Sequence, residues 1–516
     1  MRAAAIHLAL LASVAGVLVV LLIFAPGLQA PFLVPKRAAL EISASVGLLG
    51  FVLCRASTGR PRWTGSVTAG ALLVLATSGI AWMAAASRPG GAPYAVDALA
   101  RWGSLFGIAC GASVLADIPD ARQRVLEGTV MGAAAVAAIG LLQHLEILPF
   151  AIPVISTPGS TFGNRNIAAD VMAMALPLGA GAAFGRPPRA RISIFCAMAL
   201  ILGFLGVTRA RGAWIGGVCG LGTTIVLLRR GWLRPRNIAA VAAALVALGV
   251  AASMPGRFNA RDVGDSKRYS SIGSVLKESF DTRSTALRTR LGLWRRTAQM
   301  VRDNPLFGVG PGNWPVEFPR YAEPDAARDG VLSATLAPRQ AHDDLLERTA
   351  ETGIFGLIGL GFLAVAVTLA VRHRLAAGDE QPTRTGPAAA AGALAAVTAL
   401  SIVSFPLEMP GTLAMTGLAL GFVAGIPPSG GPACPTRDVP IRIHALGVLA
   451  LALFIVSAVR AERSIRSSRW LNVAEHAMSR DPAPIAGAHA LAALNLALDA
   501  RPDDPRVCLR ASQVLL

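Results

Sequence analysis

The sequence predicts an all-α, polytopic membrane protein with about twelve to thirteen transmembrane helices. Of its 516 residues, 53% are apolar and only 15% are charged, whereas an ordinary soluble domain carries roughly 25% charged residues. The apolar residues form blocks of about 17 to 24 residues, the length that a helix needs to cross a bilayer. Because a backbone in lipid must satisfy its own hydrogen bonds, such blocks predict helices. A soluble enzyme, a disordered tail and a disulfide scaffold are excluded.

The net charge of +18 does not indicate a nucleic-acid partner. Three of the 48 basic residues are lysines and the rest are arginines, which lie mostly between apolar blocks, where they set the orientation of membrane helices. The six cysteines show no ligand-type spacing and predict neither a disulfide framework nor a zinc site. The apolar run from the N-terminus to about Ala25 resembles a signal peptide, but its length favours a retained first helix.

The apolar blocks predict thirteen spans, with edges uncertain by about three residues. They cover roughly 3–25, 38–54, 64–86, 96–116, 125–147, 166–184, 191–207, 212–228, 237–254, 353–371, 387–404, 411–426 and 441–460. The chain therefore divides into N-terminal transmembrane helices at 1–254, a long loop at 255–352, C-terminal transmembrane helices at 353–460 and a helical tail at 461–516.

Arginines in alternate short loops, at 55–63, 185–190, 229–236 and 372–386, place those loops and the N-terminus in the cytoplasm. The segments at 148–165, 208–211 and 255–352 then lie outside. Loops beyond about 15 residues usually carry function or are disordered, so 255–352 is a candidate functional segment. Within it, apolar residues at helical spacing predict an amphipathic helix from Arg288 to Arg302, which Pro305 ends.

The last fifty or so residues change character. From about Arg460 the chain is charged and alanine-rich, and it predicts two helices, at 465–479 and 484–500. The pattern that runs into Arg501-Pro502-Asp503-Asp504-Pro505 resembles a tetratricopeptide repeat junction. At most one and a half repeats are present, whereas about three are needed for a stable solenoid. We therefore expect this tail to lean on another part of the protein or on a protein partner.

Polar residues cluster where a membrane makes them costly. One cluster lies at 160–166 just before a span, and a second lies at 208–214 between two apolar runs. Two more stretches, 288–313 and 340–353, lie in the long outer segment. The topology predicts that all of them meet at the outer face.

These four pieces together resemble the O-antigen ligase and polymerase superfamily, membrane glycosyltransferases that use lipid-diphosphate-linked glycans. The matching motifs are T-F-G-N-x-N at 161–166, T-x-x-R-G-A-W at 208–214, R-L-G-L-W followed by D-N-P-L-F-G-V-G-P-G-N at 290–313, and A-H-D-D-L-L-E-x-x-A-E-T-G at 341–353. They occur in the family order, and the family commonly has His-Asn where this chain has His342-Asp343. The resemblance implies a GT-C-like fold in a bacterial inner membrane with the site on the periplasmic side.

The resemblance also implies site roles. Arg211 and Arg290 match the phosphate-contacting arginines, and the guanidinium suits this role because it stays charged and binds phosphate oxygens bidentately. His342, the only histidine in 255–346, would accept the proton of the acceptor hydroxyl or orient that hydroxyl. Further substrate-binding candidates are Arg209, Arg288, Asn164, Asn166 and Asp343. The outer segment contains no D-x-D pair, so we expect a metal-independent reaction without a cofactor, and the resemblance implies inversion at the anomeric carbon.

The implied donor is an undecaprenyl-diphosphate-linked glycan presented from the membrane lipids. The identity of the acceptor is left open among three alternatives: the lipid A-core, another repeat unit in a polymerase, and a protein hydroxyl. Each residue also has a simpler interpretation, since arginines at span ends often anchor helices at the interface and Asp170 could pair with Arg165.

A transporter or flippase for lipid-linked glycans is the rival class. Such proteins usually show internal repeats and midplane sites, whereas these clusters lie at the outer edge, which favours an enzyme.

Overall fold

The computed structural model describes residues 2–58, 65–87, 93–184, 186–228, 285–322, 338–377, 381–425, 440–480, 483–502 and 507. Over these ranges the chain is helices joined by turns, with no β-strand and with one isolated bridge between Ser156 and Asn164. Eight of the described helices are long and apolar enough to cross a membrane, and two shorter apolar helices accompany them. The predicted all-α, polytopic class is confirmed.

The N-terminal half contains eight of these helices, α1 to α8. In order they are Arg2–Leu22, Leu33–Thr58, Gly65–Ala86, Ala95–Leu115, Pro119–His144, Arg165–Phe184, Pro188–Thr208 and Arg211–Leu227. A π-helical turn, Leu11–Gly16, interrupts α1.

The described C-terminal half contains α9 to α14. In order they are Thr285–Asp303, Asp344–Ala377, Gln381–Ser401, Pro410–Ala424, Pro440–Arg480 and Ala483–Ala500. The amphipathic helix predicted over Arg288–Arg302 is α9. Each predicted span coincides with a described helix except the ninth, 237–254, which lies outside the described residues.

Helix α6 is the centre of the bundle. All of its residues from Ala168 to Ala183 are buried, as expected for a helix that is apolar on every side. Small residues let the neighbouring helices approach closely: a Cβ at Gly220 of α8 would lie 2.8 Å from the carbonyl oxygen of Gly392 in α11. Close packing through small residues is how membrane helices associate without a hydrophobic driving force between them.

Helix α10 begins nine residues before the span predicted at 353–371. Its first two turns are polar, and the sequence-based edge assumed that polar residues lie outside the bundle. The charged residues of these turns, among them Asp344, Glu347 and Glu351, are instead buried inside protein. A polar face is tolerated at membrane depth when protein rather than lipid surrounds it.

Gly353 breaks α10, and the loop at 305–310 forms backbone hydrogen bonds with the helix at this break. Its φ of 63° and ψ of −165° lie in a region that only glycine adopts readily. The carbonyl oxygens of Ala350 and Glu351, freed by the break, accept the N–H groups of Val309 and Gly310, both at 2.9 Å. In return, the N–H of Ile354 donates to the carbonyl of Pro305 at 2.9 Å. The G-V-G and A-E-T-G motifs are therefore two sides of one backbone junction.

The tail differs from the prediction. The sequence predicted a separate helix at 465–479, but α13 is one continuous helix of 41 residues, because no proline or glycine interrupts it after Gly447. At about 1.5 Å per residue it is roughly twice as long as the hydrocarbon core of a bilayer. Helix α14 packs back on its end through a small apolar cluster that includes Leu471 and Leu494.

The tail packs against the N-terminal parts of α2 and α4. Arg460 contacts Glu41 of α2 at 3.4 Å and Asp97 of α4 at 2.8 Å, and Arg501 approaches Asp97 at 3.5 Å. The N–H of Gln29 donates to the carbonyl of Ser468 at 3.0 Å. The expected support is thus found within the chain, while the tetratricopeptide resemblance stays a prediction.

Reporter fusions test the orientation. Fusions that end after Ala377 should report the cytoplasm, and fusions that end after Ala322 or Arg480 should report the outer side. Each fusion point is tested twice, with a phosphatase reporter that is active only outside and with a fluorescent reporter that is active only inside. An inside result at Ala322 would contradict the orientation, because α9 would then face the wrong compartment.

Gly353→Ala should destabilise the fold. An alanine there adopts a disfavoured left-handed backbone, at a cost of about 1–2 kcal/mol, and its Cβ would lie 2.1 Å from the carbonyl oxygen of Leu306. Thermal unfolding of purified protein in detergent should show a midpoint several degrees lower. Gly361→Ala in the same helix is the matched control, since nothing lies within 4 Å of its added Cβ. Equal unfolding midpoints for the two variants would contradict the role of Gly353 in the backbone junction.

Candidate active site

The four motif stretches meet at one end of the bundle, which we call the motif end. Here α1 and α11 end, and α6, α8 and α10 begin. Helix α9 packs against α10 at the same end. A chain that alternates direction from helix to helix brings these distant segments together, as the predicted topology requires.

The T-F-G-N-x-N loop is pinned to the end of α1 by a buried lysine. Lys36 is 1% exposed and donates to the carbonyls of Val20 at 2.9 Å and Leu21 at 2.8 Å. Its ammonium lies 4.2 Å from the ring centroid of Phe162, and the hydroxyl of Thr161 donates to the same Leu21 carbonyl. Sequence reasoning missed this residue, which lies two positions before the span predicted at 38–54.

Gly163 completes that attachment. Its φ is +70°, and an added Cβ would lie 2.2 Å from the ring of Phe32. The following residues shape the surface of the loop: the side-chain oxygen of Asn164 accepts the N–H of Asn166 at 2.9 Å. The side chain of Asn166 is exposed and that of Asn164 is partly so. The motif therefore has a buried half that anchors the loop and an open half that begins α6.

Arg211 and Arg290 come within electrostatic reach of each other. Arg211 opens α8 after a tight turn at Arg209, whose φ is 54°. Arg290 is half-buried on α9. The pKa of the Arg290 guanidinium is lowered, first by burial and then by the charge of Arg211, while Asp170 acts in the opposite direction. Two positive charges held together at the surface of the bundle favour an anion.

The other two arginines are placed differently. Arg288 is exposed on α9. Arg209 acts electrostatically on His144 at the end of α5. Of the four arginines singled out in the sequence, the structure thus joins Arg211 and Arg290 most directly.

His342 adjoins this pair. Its backbone is left-handed, with a φ of 58°, and its ring meets the ring of Phe405 edge-on at 4.9 Å between centroids. Burial, and then the charge of Arg290, lower the pKa of His342 to about 4. The imidazole is therefore neutral near pH 7 and offers a lone pair.

The residues on either side of His342 are held in place. The N–H of Ala341 donates to Glu347 at 2.6 Å, and its carbonyl accepts the indole N–H of Trp294 at 3.1 Å. Asp343 accepts the N–H of Leu346 at 2.9 Å, the contact of a helix N-cap. Burial raises the pKa of Asp343. The sequence left the role of Asp343 open, because the family commonly has asparagine there. In the structure Asp343 caps the start of α10.

Three buried carboxylates on one face of α10 hold three loops around the site; we call them the carboxylate frame (Asp344, Glu347 and Glu351). Glu347 holds the His342 loop through Ala341. Asp344 accepts the N–H of Leu407 and the hydroxyl of Ser401, both at 3.0 Å. Glu351 accepts the N–H of Trp314 at 3.4 Å. Sequence reasoning missed these roles, although the i, i+3, i+7 spacing within the motif was visible.

Two arginines balance the frame. The Arg101 guanidinium contacts Glu408 at 2.8 Å. Arg348 donates to the hydroxyl of Ser78 and lies 4.7 Å from the ring centroid of Trp102. A small pocket lies among these groups, lined by Trp102, Asp344, Glu347, Arg348, Glu351, Leu360, Leu407 and Glu408. Buried charges are tolerated when each one is paired and hydrogen-bonded.

Asp170 reaches the site from α6. It is 5% exposed and accepts a hydrogen bond from the hydroxyl of Ser404 at 2.6 Å. It also lies within electrostatic range of Arg290. The hydrogen-bond partner seen here is Ser404, while the pairing with Arg165 suggested by the sequence stays a prediction.

Comparison with known proteins gives one family match. Residues 196–361 match a protein family described as O-antigen ligase. No curated protein matches the chain. The matched stretch carries Arg211, Arg290 and His342, and the T-F-G-N-x-N loop lies before it. Over these residues the chain is similar to the O-antigen ligase family, and its helical architecture with several candidate membrane spans is consistent with that similarity.

Proposed function

We propose that the protein transfers a glycan from undecaprenyl diphosphate to an acceptor hydroxyl at the periplasmic face of the inner membrane. The observation that carries this proposal is that Arg211, Arg290 and His342 gather at the motif end, where the charge of Arg211 acts on Arg290 and that of Arg290 acts on the neutral His342. Two guanidinium groups can bind the oxygens of a diphosphate, and a neutral imidazole can accept or orient the proton of a hydroxyl.

The proposed reaction has one displacement. The acceptor oxygen attacks the anomeric carbon, the bond from that carbon to the diphosphate oxygen breaks, and the electron pair leaves with the diphosphate. The configuration inverts, as the family resemblance implies. Negative charge grows on the leaving group, and Arg211 and Arg290 would stabilise it in a partly desolvated site, where such interactions are strongest.

His342 would take or orient the proton of the acceptor hydroxyl. A free-enzyme pKa of about 4 makes it a weak base. A bound diphosphate would offset the Arg290 charge that contributes to this low value, so we expect the histidine to become more basic when the donor is present. Donor binding thereby prepares proton transfer.

The acceptor class divides the proposal into three variants: a ligase acting on lipid A-core, a polymerase acting on another repeat unit, and a protein O-oligosaccharyltransferase. The packed tail of α13 and α14 offers a surface for a protein partner, which gives the third variant some support. Purified protein with undecaprenyl-diphosphate-linked glycan and each acceptor in turn distinguishes them. We expect turnover to persist in EDTA.

A deletion strain separates this proposal from a flippase. Without a transferase, lipid-linked donor should accumulate on the outer face of the inner membrane, where a membrane-impermeant lectin labels it in spheroplasts. Accumulation on the inner face alone would support transport instead.

Arg211→Lys and Arg290→Lys should both impair transfer. An ammonium cannot reproduce the planar, bidentate contact of a guanidinium with a diphosphate. Loss of such a charge-assisted contact costs about 1.5–3 kcal/mol, which is roughly tenfold to over a hundredfold in rate. Initial rates with purified protein measure the effect. Arg302→Lys, at an exposed site on the same helix, is the control. If Arg290→Lys matches that control, the arginine is a structural anchor.

His342→Ala should lower the rate about 10²–10⁴-fold, as expected for a lost general base. His342→Gln keeps a hydrogen bond without basicity, so an intermediate rate would separate orientation from proton transfer. Because the pKa of His342 is lowered to about 4, its active neutral form persists above that pH and is lost below it. We therefore expect kcat/KM to stay flat from about pH 8 to about pH 5. A His342-dependent inflection near the ordinary value of about 6.5 would contradict the desolvated site.

A further inference from the structure

We propose that Phe405 is a positioning residue for His342: its ring holds the imidazole in a fixed orientation and shields it from water. The two ring centroids lie 4.9 Å apart and the ring planes meet at 71°, one of the arrangements that aromatic pairs prefer. The inference rests on the proposed function, in which His342 takes or orients the acceptor proton. Phe405 lies outside the four motifs and outside the matched residues 196–361.

The backbone of His342 is fixed by residues other than Phe405. Its φ of 58° is left-handed, a conformation that a residue other than glycine keeps when its surroundings enforce it. Ala341 before it is hydrogen-bonded through both its N–H and its carbonyl, and Asp343 after it caps α10. The imidazole can still turn about its side-chain torsions, and contact with the ring of Phe405 limits that rotation.

The turn that carries Phe405 is held by the start of α10. The buried carboxyl group of Asp344 accepts hydrogen bonds from the hydroxyl of Ser401 and from the N–H of Leu407, both at 3.0 Å. These two contacts lie on either side of Phe405 in the chain. Because Asp344 lies two residues after His342, one short stretch of chain fixes both aromatic rings relative to each other.

Two further helices hold the same turn. The hydroxyl of Ser404 donates to Asp170 of α6 at 2.6 Å, and Glu408 forms an ion pair with Arg101 of α4 at 2.8 Å. The turn is thus tied to α4, α6 and α10, which restricts the movement of Phe405. A catalytic group needs such rigid support, because a small displacement from its productive geometry lowers the rate strongly.

The ring of Phe405 also covers part of the imidazole. His342 lies in a loop, yet it is only partly exposed. An apolar ring against an imidazole disfavours the charged form. This agrees with the pKa of His342, which burial lowers to about 4. Phe405 therefore helps to keep the histidine in the neutral form that can accept a proton.

Phe405→Ala should lower kcat roughly three- to tenfold. The donor KM should stay within about twofold, because the arginines rather than this ring bind the diphosphate. Phe405→Tyr keeps a ring and should retain most of the rate, while Phe405→Leu keeps apolar bulk without a ring and should fall between these two. Phe355→Ala is the matched control, since it removes a ring that stacks on Phe307 at 5.5 Å between centroids, and its kcat should stay unchanged.

A double-mutant cycle shows whether the effect passes through His342. In a His342→Ala background, Phe405→Ala should have no further effect on kcat. A second measurement needs no turnover: diethyl pyrocarbonate, which acylates neutral imidazoles, should modify His342 several-fold faster in purified Phe405→Ala protein, as read by mass spectrometry. His144, buried at the end of α5, is the internal control and should react at an unchanged rate.

Three results would overturn the inference. They are a folded Phe405→Ala protein with the kcat of Phe355→Ala, a loss of rate that persists in the His342→Ala background, and equal acceleration of modification at His342 and His144. If Phe405→Ala fails to fold, the same measurements on Phe405→Leu against Phe405→Tyr decide.

The same data separate this inference from the proposed function. If the unmodified protein transfers no glycan, the proposed function fails, and the modification rate of His342 still tests the contact with Phe405. If transfer requires His342 and both arginines but not Phe405, only the role of Phe405 fails.

Discussion

The site depends on one structural constraint, the burial of a carboxyl-bearing helical face within the first two turns of α10. The carboxyl groups of the carboxylate frame cannot lie in a protein interior without hydrogen-bond partners, and the available donors belong to three separate loops. Each loop is therefore held where its N–H groups satisfy a carboxylate. The break at Gly353 adds backbone pairing with a further turn. His342 acquires its position as a consequence, since the residue before it donates to Glu347.

A second constraint is electrostatic. The motif end combines like charges on Arg211 and Arg290 with a histidine whose protonation those charges oppose. Such an arrangement carries a cost for the free protein, and an anion relieves it. Sites that store unfavourable electrostatics in this way are typical of function, because stability alone would favour their removal.

The remainder of the bundle supplies rigidity. The central helix α6 is buried along nearly its whole length, and Lys36 ties the loop that precedes it to the carbonyls at the end of α1. Lysine suits this task because a compact ammonium donates several hydrogen bonds at once. The tail of α13 and α14 is joined to α2 and α4 through Arg460 and Arg501, so it helps to hold the N-terminal parts of these two helices together.

The sequence by itself determined the helical class, nearly all the described spans, the amphipathic helix in the outer segment and the identity of the motifs. The length of an apolar segment and the helical spacing of apolar residues are local properties of the sequence, and they suffice to predict a membrane-spanning or amphipathic helix. Tertiary structure alone decided where α10 begins, that α13 continues unbroken into the tail, and which groups Lys36, Asp170 and the carboxylate frame contact. Their partners lie far away in the chain, as with Asp170 and Ser404, and whether a buried charge is tolerated depends on those partners rather than on its neighbours in sequence.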